Sequence, residues 1–83
     1  MSHTPHELSD EFPELVDAMT HLRQSDSHFS KLSDQYHTLN RAIHRAETDV
    51  EPTSDDNMVQ MRKERLAMKD EIHSYVKIHA ASA

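Results

Sequence analysis

From Leu15 onward an apolar side chain returns every seventh residue, at Leu15, Leu22, Phe29, Tyr36, Ile43 and Val50. With these labelled a in a heptad, Ala18, Ser25, Leu32, Leu39 and Ala46 fall at d. A seven-residue apolar repeat held over this length predicts a helix that buries one stripe against another helix. The d row weakens at Ser25. Around it, Gln24-Ser25-Asp26-Ser27 is poor in helix formers and rich in capping residues. The pattern predicts a break near residues 24–26, with Ser25 or Asp26 capping a long helix near 27–48 and a short helix near 14–23 before it.

A second stripe follows at Met58, Met61, Arg65, Met68, Ile72, Tyr75 and His79, spaced alternately three and four apart. Between the stripes, Pro52 ends the first helix, and Thr53-Ser54-Asp55-Asp56 offers N-cap residues and acidic groups suited to a helix start. The second helix is expected from about Asp55 to about Ile78, with a loop near 49–55 and a frayed tail over 80–83. Upstream, residues 1–12 read as a polar arm with room for a short helix, in which Thr4-Pro5-His6-Glu7 resembles a capping box with proline at the first helical position. Phe12-Pro13-Glu14 restarts the chain, and the helical domain runs over 13–79.

The two stripes can be tested against each other. If the chain bends at Pro52, paired numbers sum to 104. Ala46 then faces Met58, Ile43 faces Met61, Leu39 faces Arg65, Tyr36 faces Met68, Leu32 faces Ile72 and Phe29 faces Tyr75. Ser25 and His79 close the far end. Every pair sets an a site against a d site, so two independently read stripes agree on one register. Residues 14–57 hold nine acidic and four basic side chains, while 58–83 hold five basic and three acidic. Opposite net charge steers the pairing weakly, at no more than about 1 kcal/mol per surface pair. The expected fold is all-α: an antiparallel two-helix coiled-coil hairpin with a short N-terminal helix.

Two arms of about 24 residues, each roughly 36 Å long, bury one stripe apiece and are marginal alone. Leu15, Val16, Met19 and Leu22 lie beyond the hairpin, and Val59, Leu66, Ala67 and Val76 lie off the seam. Either the N-terminal helix covers these residues or a second copy does. Leu15, Val16, Met19, Leu22, Val59, Leu66 and Val76 are therefore the candidate partner surface, and a dimer or higher oligomer is expected.

Composition narrows the choice. The 83 residues make at most one domain and contain neither cysteine nor glycine. Disulfides and thiolate chemistry are out, and so are glycine-dependent phosphate loops and tight hairpins. No apolar run exceeds the three residues Leu66-Ala67-Met68, so neither a membrane span nor a secretory signal is expected. A formal charge of −6 makes nucleic acid and anionic lipid poor default partners.

Candidate chemistry is thin. Eight histidines invite a metal reading, but His21 and His28 are seven apart, as are His37 and His44, and no pair is spaced i, i+4. Seven residues is about 10.5 Å along a helix. Solvated surface histidines, with some response to pH, are the plainer expectation. Glu64, Asp70 and Glu71 alternate with Lys63, Arg65 and Lys69, as on a salt-bridged solvated face. Met58, Met61 and Met68 read first as core filling and second as an adaptable surface. Arg65 either lays its stem along the seam with its head in water, or specifies register or reaches an acidic partner chain. The cluster Arg62-Lys63-Glu64-Arg65, with Lys69, is the one place for RNA phosphates to touch, though no aromatic lies nearby for stacking.

Phe12-Pro13-Glu14, His28-Phe29 with Leu32, Tyr36-His37 with Leu39-Asn40 and Ile43, and Glu47-Thr48 together resemble the YdcH-like family of small bacterial proteins. So do Glu51-Pro52-Thr53-Ser54-Asp55 and, most specifically, Arg65-Leu66-Ala67-Met68-Lys69-Asp70-Glu71-Ile72. The likeness runs from about residue 3 to residue 77, and departs at Met61 and Met68, where family members often carry leucine. It implies a helical hairpin or coiled coil, a bacterial and cytoplasmic setting, and no catalytic residue.

The expected function is a small helical protein–protein interaction module that self-associates through helix faces and meets an unidentified protein. The alternative is a nucleic-acid-associated regulator using the basic face of the second long helix, and a histidine-rich metal buffer is a third class. No catalytic, cofactor-binding or metal residue is assigned, no cofactor is expected, and the chain is read as not an enzyme.

Overall fold

The computed structural model describes residues 5–48 and 53–81. Val50, Pro52 and most of the expected loop lie outside the described residues, as do Thr4 and the end of the tail. The described residues form, in order, α1 Leu8–Glu11, a 3-10 turn Pro13–Leu15, α2 Val16–Ser25, α3 Ser27–Glu47 and α4 Asp55–Ala81. The protein is all-helical, and no strand occurs among the described residues.

Each boundary has a local cause. Asp26 interrupts the chain with an extended backbone, and its Oδ1 accepts the Phe29 amide at 3.0 Å, satisfying one of the donors at the start of α3. Thr48 ends α3 by turning its hydroxyl onto the His44 carbonyl at 2.9 Å. Ser54 Oγ accepts the Asn57 amide at 3.1 Å, near the start of α4. That helix continues to Ala81, past the expected end near Ile78, because alanine is the strongest helix former. Its 27 residues make about 40 Å of helix, which sets the long dimension of a molecule of 43 × 28 × 20 Å.

The amino-terminal segment departs from the capping-box reading. Helix α1 begins at Leu8, Glu7 gives it no side-chain cap, and His6 has a φ of 64°. Nor does the segment from Pro5 onward stand apart as a polar arm. Leu8 is buried, Phe12 packs on the core, and α2 lies across α3 and α4.

Three layers therefore share one core. Leu8, Met19 and Leu22 join Phe29, Leu32 and Tyr36 of α3 and Ile72 and Val76 of α4. Phe12, Leu15, Ala18, Met68 and Tyr75 pack around them. Ile43 and Ala46 are also buried, farther along α3. Of the residues offered as a partner surface, Met19, Leu22 and Val76 are core and Leu15 is half-buried against it. They needed cover, and α2 supplies it within the chain.

Helices α3 and α4 meet through contacts that step in opposite directions along the two sequences. Phe29 and Tyr75 stack with centroids 6.0 Å apart. Arg65 reaches Asn40 at 3.0 Å, and Arg62 reaches Glu47 at 2.8 Å.

Candidate interaction surface

The third layer changes which positions of α3 are buried. Phe29, Tyr36 and Ile43 at a, and Leu32 and Ala46 at d, are buried as the heptad requires. Leu39, also at d, is only half-buried. Ser33 and Asn40, one position beyond d, are buried instead, each 1% exposed. The buried stripe is thus rotated toward the side where α1 and α2 lie. On α4, Ile72 is buried, while Met58, Met61, Arg65, Met68 and Tyr75 are half-buried.

Two polar junctions, neither visible in the heptads, tie the layers together. In the first, the Tyr36 hydroxyl donates to the His6 carbonyl at 2.6 Å, and Asn40 Nδ2 donates to the Pro5 carbonyl at 2.8 Å. Arg65 donates to Oδ1 of the same Asn40. His37 Nδ1 lies 2.5 Å from Glu7 Oε2. Burial, with Glu11 and Glu7 nearby and Arg65 opposing them, pushes the Tyr36 phenol up to about 12. The seam arginine thus turns onto a buried amide of its own chain. In the sequence Asn40 stands out only within the family resemblance and is given no structural role, since an amide one position beyond a d site carries no periodic signal.

The second junction sits at the break. Tyr75 donates its phenol to Asp26 Oδ2 at 2.6 Å. This bond, and behind it the Phe29 amide, holds the Asp26 carboxyl below its ordinary value; the same bond, with burial and the Asp26 charge, raises Tyr75 above its own. His79 stacks on Tyr75 at 3.9 Å and His28 tilts against it at 5.1 Å. Elsewhere His73 stacks on Phe12 at 4.8 Å and His6 pairs with Glu11 at 3.0 Å. His6, His28 and His79 are exposed, as the sequence suggested, and their rings also make these local contacts; His73 is half-buried. Among the described residues no three His, Cys, Asp or Glu side chains gather as a metal site would need.

Two outward features bear on partner binding. An open groove of about 1110 Å³ runs beside α3, with Leu39, Ala42 and Met68 as its apolar residues and Lys31, Asp34 and Glu64 among its charged ones. On α4, Val59 and Leu66, one heptad apart, are 49% and 56% exposed, and Val16 of α2 is 36% exposed. From the candidate surface, then, Val16, Val59 and Leu66 stay accessible. The basic residues of α4 are spoken for in part: Arg62 by Glu47, Arg65 by Asn40 and Lys69 by Glu11 at 3.7 Å.

Fold and surface define a small all-helical protein whose described residues offer outward helix faces and an open groove. No helix among them is long and apolar enough to cross a membrane. The chain belongs to the family described as protein of unknown function (DUF465), whose model matches residues 29–76, the span from the first residues of α3 to Val76 of α4. No curated protein and no solved structure matches it.

Proposed function

We propose that this protein is a small interaction module of the bacterial cytoplasm, built on an antiparallel coiled-coil hairpin and acting without catalysis or a cofactor. In this reading α3 and α4 form the hairpin, with the bend between Glu47 and Asp55. The opposed order of the contacts Phe29–Tyr75, Asn40–Arg65 and Glu47–Arg62 supports it.

The observation that carries the functional reading is the exposure of Val59 and Leu66 on one face of α4. Large aliphatic side chains repeated at heptad spacing on a water-facing helix suit burial against another helix. A second copy meets that face, and a further protein meets the groove at Leu39 and Met68. Sedimentation velocity across micromolar concentrations tests the first part: the native chain associates, and Leu66→Glu with Val59→Glu shifts it to monomer. A native chain that stays monomeric throughout ends the self-association reading. The formal charge of −6 weighs against a nucleic-acid role.

A further inference from the structure

We infer that the cleft between the His6 turn and α4 binds a single phosphate-type oxyanion. The cleft encloses about 150 Å³ and is lined by His6, Glu11, Arg62, Arg65, Leu66 and Lys69. A water molecule needs only a small part of that space.

Positions 62, 65 and 69 are three and four apart on one face of α4 and all line the cleft, with Arg62 also on Glu47, Arg65 on Asn40 and Lys69 on Glu11. Arg65 uses one N–H on the neutral amide of Asn40, a bond that leaves its charge uncancelled. Arg62 holds Glu47 through one nitrogen, and a guanidinium carries five donors in a fork suited to tetrahedral oxyanions. His6 supplies an imidazole on the opposite wall, which adds charge when protonated.

The opposite wall is fixed in advance. His6 occupies the left-handed region at φ 64°, which is uncommon outside glycine and so fixes a specific turn. Tyr36 and Asn40, both buried, hold the carbonyls of His6 and Pro5 in that turn. The lining carboxylate, Glu11, already takes the two flanking donors, because its Oε1 lies 3.0 Å from His6 Nδ1 and 3.7 Å from Lys69 Nζ. Glu11 therefore acts as a built-in competitor, standing where a phosphate oxygen would stand. A cleft this small takes one anion and not a nucleic-acid backbone; Leu66, which lines it, also belongs to the proposed self-association face, so the two readings meet at that residue.

The test is titration of the full chain with inorganic phosphate at low ionic strength, followed by calorimetry and ³¹P line shape, with helix content checked for each variant. Saturable binding is expected, weakened about tenfold by Arg62→Gln and by Lys69→Gln, and strengthened by Glu11→Gln. Lys77→Gln removes the same charge outside the cleft and should leave binding unchanged; an equal loss there would mean general charge attraction and overturn the proposal. Absence of saturable binding to both native protein and Glu11→Gln overturns the proposal, as does binding that ignores all three cleft substitutions. A second arm uses phosphatidic acid vesicles: association with vesicles but not with free phosphate overturns the assignment to a soluble anion.

Discussion

The phenol of Tyr75, near the end of α4, donates a 2.6 Å hydrogen bond to the same Asp26 carboxylate that caps α3. One side chain at the break between α2 and α3 thereby serves a local purpose and a distant one. Its Oδ1 satisfies the Phe29 amide three residues on, while its Oδ2 meets a helix 49 residues away.

Replacing Asp26 with alanine should lower the urea midpoint more than replacing Tyr75 with phenylalanine, since the first removes both bonds and the second only one. The double variant should match Asp26→Ala, because the Tyr75 bond has already gone. Additive losses would show that the two groups act independently.

Acid sensitivity follows from the same carboxylate. Its folded value lies below the ordinary 3.8, so its contribution is present above that value and is lost as pH falls below it. Denaturation midpoints of the native protein should decline more steeply below about pH 4 than those of Asp26→Asn. Parallel curves would remove Asp26 as the source.

Tyr36 gives the mirror case at high pH. Its folded value of about 12 stands above the ordinary 10.0, so its contribution is complete below pH 10 and fades as pH rises through the folded value. Native stability should fall across that window and fall less in Tyr36→Phe. At neutral pH the same substitution leaves the His6 carbonyl without its hydroxyl donor, at a cost of about 1–3 kcal/mol by chemical denaturation.

Packing predicts a contrast between two large apolar residues. Phe29 is fully buried and Phe29→Ala should cost about 3–5 kcal/mol, enough to unfold much of so small a protein. Leu66 is mostly exposed, and Leu66→Ala should stay within about 0.5 kcal/mol in the monomer. A large loss at Leu66 under dilute conditions would mean that its face is covered within the chain.

The amino-terminal segment supplies a last check. Removing residues 1–12 takes Leu8 and Phe12 from the core and the acceptors from Tyr36 and Asn40. The truncated chain should bind a hydrophobic dye and lose cooperativity in thermal unfolding. Unchanged unfolding would show that the segment merely decorates the surface.

The sequence by itself determined the helices, the break at Asp26 and the a positions of α3 that are buried. Those features depend on short-range rules: capping chemistry acts over three residues, and the apolar repeat states which side chains share one face. Only the tertiary structure decided which flank of that face would be covered. The docking of α1 and α2 buries Ser33 and Asn40, leaves Leu39 half open, and turns Met19, Leu22 and Val76 from a candidate surface into core. A heptad cannot show this, because it records angular position around one helix and nothing about where a third layer lands. Bonds such as Tyr36 to His6 and Asn40 to Pro5 join residues 30 and 35 apart, and no local period marks them.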